Sequence, residues 1–322
     1  MSGFLTAAQR AHFFTEGYLV VPDLFDPEKL EPIRCEIDGI VNDEAEKLLS
    51  DGKIQATRSD LPFETRLVAL VKDHPECWND YRIAIEGKAG GGHAGKEMYN
   101  LLLNSNLLNA MESLVGEEII ASSVYRIRPK LPGLDRGEIP WHQDSGYFEA
   151  HCDKNLVVTC WIPLVEATVE NGCLLVLPRT HKNGVVEHRT GGKAGYLVIK
   201  EEDLPVNEEQ AIYVPVPLGG ALLMTNLTPH SSKTNSTHIV RWSVDLRYQG
   251  QEVPTNALLE PEDITGRDWE TTPACYAPEG DFYVRSKKHP ERIPTPEQFA
   301  DRRAKYEAAK GLPAPNRGWK PV

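Results

Sequence analysis

The sequence predicts a single domain of α+β, mainly β character, in which amino-terminal helices brace a β sandwich or barrel. Three observations carry this. Apolar residues early in the chain recur at helical spacing, as Leu30, Ile33, Ile37 and Val41 do. From about Ile119 the texture changes to short, β-branched-rich runs parted by Gly, Pro and Asn, the pattern of an all-β core. Helices come first and strands afterwards, so the chain does not alternate as a parallel α/β sheet would. The divisions are a helical brace at about 1–115, a β core at about 116–250 and a wrapping tail at about 251–322.

Taken in order, "LTAAQRAHFFTEGYLVV" reads as a helix capped by Thr6 and stopped near Gly17, then a strand at about Tyr18 to Val21. Asp26 and Pro27 suit the start of the next helix, although Pro32 predicts that its regular part begins nearer to that residue. A further helix is expected over about Lys96 to Leu114. The expected strands are "IIASSVYRI", "LVVTCWIPL", "GCLLVLP", "YLVI", "AIYVPVP", "GALLMTNL" and "IVRWSVDLRYQ". The Pro-rich, charged tail is expected to close on a helix, "PTPEQFADRRAKYEAAK".

Composition narrows the function. With 35 basic against 47 acidic residues the net charge is −12, which argues against nucleic acid or an anionic membrane as the main partner. No run approaches the roughly 18 apolar residues of a membrane span, and the amino terminus lacks the basic-then-apolar order of a secretory signal. The six cysteines are scattered without a C-x-x-C pair, so reduced thiols and a cytoplasmic location are expected. A small molecule is the expected partner, and oligomeric state is not legible.

The chemistry begins at "PWHQDSGYF", residues 140–148. In an extended chain His142 and Asp144 project to one side and Gln143 to the other. A metal there needs a third ligand, and the best candidate is His230 in "GGALLMTNLTPHSS". Two imidazoles and one carboxylate on one face of an octahedron leave three positions open, which suits Fe(II). Arg241 follows His230 by 11 residues on a strand-like run. Its planar fork matches the far carboxylate of a 2-oxoacid cosubstrate.

Together "WHQDSGYF", "TCWIPLVEATVENGCLLVLPRTHKNG", "LGGALLMTNLTPHSSKTNS" and "RWSVDLRYQ" resemble the phytanoyl-CoA dioxygenase family of iron(II)- and 2-oxoglutarate-dependent oxygenases, from about residue 6 to 250. The resemblance implies a double-stranded β-helix (jelly roll, cupin-like) with iron at one open end. It implies His142, Asp144 and His230 as iron ligands, Arg241 on the far carboxylate of 2-oxoglutarate, and Ser232 as its companion. Gln143 and Trp161 would line the cosubstrate pocket, with Lys88 and Tyr125 as further pocket positions. The implied reaction consumes 2-oxoglutarate and O2, releases succinate and CO2, and hydroxylates an unactivated C–H of a small organic molecule. Related halogenases replace the liganding carboxylate with a small residue; the intact Asp144 favours oxygen transfer.

One departure bears on this, and one lookalike is set aside. Family members commonly carry Pro-Gly-Ser-His where this chain has "PRTH", Pro178 to His181, so Arg179 stands in place of a glycine. "GGGHAGKE", Gly90 to Glu97, imitates a phosphate loop but lacks the Ser or Thr that holds Mg²⁺, and reads as a lid or surface loop. The rival functions are a cupin-like metal-dependent enzyme without redox chemistry and a catalytically inactive binding module.

Overall fold

The computed structural model describes residues 4–86, 93–122, 125–133, 138–148, 150–192, 195–253, 281–308 and 317–322. Helix α1 (Ala7–Glu16) opens on a capping box in which Thr6 and Gln9 satisfy each other's backbone N–H. It ends at Gly17, whose φ of 86° is the left-handed geometry that glycine adopts without strain. The chain then enters β1 (Tyr18–Val21). Asp26 and Pro27 start a short 3-10 turn, and the regular helix α2 (Glu31–Ser50) follows with Pro32 in its first turn.

Two further helices, α3 (Phe63–Asp73) and α4 (Trp78–Glu86), were not anticipated. The helix expected over about 96–114 is two, α5 (Lys96–Leu102) and α6 (Ser105–Val115). Asn104 parts them, its side chain accepting from the N–H groups of Asn106 and Leu107 as a new cap. At the start of α5 the Glu36 carboxylate accepts from the N–H groups of Glu97 and Met98 at 2.8 and 3.1 Å. An acid already occupies the place where a phosphate loop would hold its anion.

The β core is two facing sheets. The larger contains β2 (Ile119–Ala121), β3 (Arg126–Lys130), β5 (Val157–Pro163), β9 (Ala221–Thr225), β11 (Arg241–Gly250) and β12 (Phe282–Arg285), with β1 at one edge. β11 is long enough to pair with β3 along its first half and with β2 at its far end. The smaller sheet runs β4 (Ile139–His142), β10 (His230–Ser232), β6 (Leu174–Val176) and β8 (Ile212–Val214). These antiparallel sheets, backed by helices on one side, form the expected jelly roll.

Four expectations need correction. "YLVI" forms no strand; only a single bridge links Val198 to Arg189. β1, within the nominal brace, is a strand of the main sheet, paired with β9. "IIASSVYRI" is two strands, not one. The tail does more than wrap the surface, since β12 pairs with β2 and extends the main sheet. It then forms α7 (Pro296–Ala308), and β13 (Lys320–Pro321) pairs with β7 (Arg189–Thr190).

Alternation divides the main sheet's side chains between two interiors. Val158, Cys160 and Ile162 of β5 join Trp242, Val244, Leu246 and Tyr248 of β11 against Ile33, Ile37 and Val41 of α2. On the other side Trp161, Leu222 and Met224 meet Leu174, Val176 and Val214 of the smaller sheet. The site lies at one end of that second interior.

Candidate metal centre and cosubstrate cleft

Sheet register brings the far-separated histidines together. His230 is the direct cross-strand partner of His142, and the ring centroids stand 4.2 Å apart. After His142 the backbone stays extended through Gln143 and turns at Asp144 into a 3-10 turn. One donor atom from each of His142, Asp144 and His230 lies within 4.8 Å of the others, the sole such grouping among the described residues, and all three are buried.

The surroundings prepare each donor. Nδ1 of His142 lies 2.9 Å from the Pro140 carbonyl, and Nδ1 of His230 lies 2.9 Å from that of Thr228. A carbonyl can only accept, so each ring carries its proton on Nδ1 and presents a bare Nε2 lone pair, the form a metal requires. Burial, and then the neighbouring His230, pushes the His142 imidazole down to about 3, so it stays neutral. Burial alone would raise the Asp144 carboxyl, but the Arg247 guanidinium beside it holds it well below the usual carboxylate range. Arg247 spans it with Nε at 3.3 Å and Nη2 at 3.2 Å, and the Thr159 hydroxyl donates to it as well. Two imidazoles that turn Nε2 inward and one ionised carboxylate fit a ferrous ion.

A cleft of about 680 Å³ runs from this triad between the sheets, within the usual range for small-molecule sites. Arg241 and Lys130 are direct cross-strand partners, 3% and 4% exposed. Two like charges face to face in a buried site are unfavourable unless an anion joins them. Burial, and then the Arg241 charge, pushes the Lys130 ammonium down to about 6. Arg241 donates from Nη1 to Ser243 Oγ at 2.5 Å, while its buried Nε finds no acceptor among the described residues. Lys130 donates to Ser232 Oγ at 2.8 Å, and the Trp161 ring lies 5.1 Å beneath the Arg241 guanidinium. The under-bonded Arg241 guanidinium, with the Lys130 amine beside it, matches the distal carboxylate of a 2-oxoacid.

His142, Asp144, His230, Ser232, Trp161 and Arg241 therefore share one cleft. Gln143 and Tyr125 do not line it. The Gln143 amide turns to the opposite side, donating to the carbonyls of Gly184 and Leu227 and accepting from the Val186 N–H, so it ties loops behind the site. The Tyr125 hydroxyl donates to the His93 carbonyl, and its ring packs on Phe299. Lys88 lies outside the described residues. Arg179 adopts φ 69°, the left-handed geometry that favours glycine, and it grips Glu16 at the end of α1 instead of facing the cleft.

Several contributors escaped the sequence reading. Thr159 was legible, since alternation from Trp161 sends it to the same face. Arg317 was not: it pairs with Asp153 through both terminal nitrogens and donates to the Ser145 and Phe148 carbonyls, across the turn that carries Asp144. Trp319 donates to the Gly146 carbonyl at 2.9 Å and packs beside His188, whose Nε2 accepts from the Gln143 N–H. A Cβ on Gly146 would come within 2.6 Å of the His188 ring, so this turn needs its glycine.

Comparison with known proteins agrees with this geometry. The profile of the family described as phytanoyl-CoA dioxygenase matches residues 13–243. A phytanoyl-CoA dioxygenase of Arabidopsis thaliana is 24% identical over 289 residues, covering 81% of this chain and 99% of that protein. A methylphosphonate hydroxylase of Gimesia maris is 30% identical over 168 residues, covering 52% of this chain and 56% of that one. The apo structure of the non-heme monooxygenase ThoJ has a TM-score of 0.56 at 16% identity, covering 94% of this chain and 96% of that one, which shows the shared fold. Among the described residues no helix is long and apolar enough to cross a membrane.

Proposed function

The chain belongs to the phytanoyl-CoA dioxygenase family and is an iron(II)- and 2-oxoglutarate-dependent dioxygenase, and from that premise we propose that it hydroxylates an unactivated C–H bond of a small organic molecule. His142, Asp144 and His230 hold the iron, and Arg241 with Lys130 and Ser232 receives the far carboxylate of 2-oxoglutarate. Bound iron and cosubstrate supply the oxidising power from O2, with succinate and CO2 as co-products.

The protein's own part is placement. The Pro140 and Thr228 carbonyls fix which imidazole nitrogens face the metal. Arg247 and Thr159 aim the Asp144 carboxylate. Arg241 and Lys130 set how deep the cosubstrate sits, and the aromatic wall of Tyr147 and Phe148 limits water in the remaining space. Brace, β core and tail act as one unit. The methylphosphonate hydroxylase relative carries a small-molecule substrate in its name. The free thiols Cys35, Cys77, Cys160 and Cys173 support a reducing compartment, and we place the chain in the cytoplasm.

The observation that carries the reading is the Arg241–Lys130 pair beside the buried triad. A hydrolase that uses the same triad without a 2-oxoacid would take up no 2-oxoglutarate there. Anaerobic Fe(II) plus 2-oxoglutarate is expected to give a weak visible charge-transfer band, absent in His230→Ala, and succinate should form in air. Absence of the band from the wild-type protein with iron demonstrably bound would sink the assignment.

A further inference from the structure

Several strands of the β core converge on the amino group of Lys130. Its side chain leaves β3 towards the cleft, level with Arg241 across the ladder. Nζ donates to Ser232 Oγ at 2.8 Å on β10 and to the Lys233 carbonyl just beyond it. Gly172, in the turn before β6, lies over the stem. A Cβ there would come within 3.0 Å of Lys130 Cδ and 2.6 Å of the Lys233 carbonyl. At 4% exposure the amine is held in place and largely out of water.

Among the described residues no carboxylate forms an ion pair with it. The titratable groups that face it are Arg241 on β11, the exposed Glu138 ahead of β4 and the Cys173 thiol ahead of β6. Burial pushes that thiol up to about 11, so it stays protonated. The Lys233 ammonium turns away to Glu208 at 3.1 Å, and on α4, which also packs on β3, Arg82 and Glu86 pair with each other. Burial and a like charge both disfavour an ammonium here. Hydrogen bonding agrees. A neutral amine has two N–H bonds to give, and the Lys233 carbonyl and Ser232 Oγ receive both. A third proton would find no acceptor among the described residues.

The far carboxylate of 2-oxoglutarate changes both conditions at once. It offsets the Arg241 charge and offers an oxygen to a third N–H. We propose that this carboxylate draws a proton from solvent onto the Lys130 amine, so that cosubstrate binding takes up one proton and the second cation of the clamp exists only in the loaded cleft. The amine lone pair takes the proton and no other bond changes. The carboxyl groups of 2-oxoglutarate are ionised well below neutrality and do not compete for it. A 2-oxoacid without the far carboxylate would leave the amine neutral, which makes Lys130 a selector for dicarboxylates.

This rests on the oxygenase reading, and the test separates the two. The full chain, loaded anaerobically with Fe(II), is titrated with 2-oxoglutarate by calorimetry in PIPES and in Tris, whose heats of ionisation differ. At about pH 7.5 the difference should report uptake of about one proton per 2-oxoglutarate bound. The free amine is neutral above about 6 and the bound one protonated, so raising the pH weakens binding. The association constant should fall about ten-fold per pH unit between about 7 and 8.5. Lys130→Met should bring the proton count near zero and flatten that pH profile. Binding without proton uptake in the wild-type protein, or an uptake that survives in Lys130→Met, overturns the proposal alone. No 2-oxoglutarate binding with iron in place would sink the oxygenase reading and the proposal with it. Circular dichroism checks the fold of the variant, and the wild-type proton count does not depend on it.

Discussion

Arg241 and Trp242 are adjacent on β11 and nearly equally buried, at 3% and 1% exposure, yet the two faces of that strand follow opposite rules. The helix-side face is Trp242, Val244, Leu246 and Tyr248, closely packed against the brace. Burying such side chains stabilises the fold by about 1.5–3 kcal/mol each. The cleft-side face is Arg241, Ser243, Asp245 and Arg247, where burial disfavours every charge unless a partner is present. Asp245 and Arg247 find partners within the chain; Arg241 faces Lys130, whose ammonium burial and then the Arg241 charge push down to about 6. One face is built for the folded chain and the other for its ligands.

Truncating one residue on each face would break the comparison if it is wrong. Trp242→Ala should cost about 3–5 kcal/mol of unfolding free energy, read from urea titration, because a large cavity opens beneath the helices. Arg241→Ala should leave stability within about 1 kcal/mol of wild type, or raise it, since it relieves Lys130. Its cost appears in 2-oxoglutarate, whose dissociation constant should rise about 100-fold by calorimetry. Equal destabilisation by both would mean that the cleft face is structural.

Acid should sharpen the contrast in the metal-free protein. Burial holds His142 down to about 3 and His188 down to about 4, whereas an unfolded imidazole takes its proton near 6.5. Below about pH 6.5 the unfolded chain therefore binds more protons, so stability rises with pH there and is lost on acidification. The loss is up to roughly 1.4 kcal/mol per pH unit for each imidazole, ending near 4 for His188 and near 3 for His142. His188→Gln should flatten the dependence of the urea midpoint; an unchanged slope would mean that this imidazole titrates normally.

The smallest effect concerns the strap behind the site. Arg317→Ala removes the clamp on the Ser145 and Phe148 carbonyls without touching a metal donor. It should weaken Fe(II) binding about ten-fold, as loss of a supporting contact behind a metal ligand commonly does, with Arg317→Lys recovering part of it. Competition against a chelator measures this. Wild-type affinity in Arg317→Ala would show that the turn holds Asp144 in place without its strap.

Particular residues show where reading along the chain succeeds. Thr6 and Gly17 bound the first helix because capping is local. Alternation correctly set Gln143 opposite His142 and Asp144, and it was the family resemblance, carried residue by residue, that moved Gln143 into the pocket where the structure does not put it. α3 and α4 escaped notice because they are short, 11 and 9 residues, although each is at least as amphipathic as the helices that were read. Tyr125 and Gln143 are both buried and polar, and which loop would satisfy each could not be read from neighbours in sequence.

By itself the sequence determined the order of helices before strands, the residue types of a ferrous triad and a cation eleven positions beyond its last ligand. These depend on local periodicity and on the chemistry of individual side chains. Only the tertiary structure decided that His230 lies across from His142, that Lys130 opposes Arg241, that Arg247 aims Asp144 and that Arg317 returns to brace the turn. Those pairings join residues up to 172 positions apart. Their reason is sheet register and chain closure, which are set by the whole core packing at once and leave no mark in any one stretch of sequence.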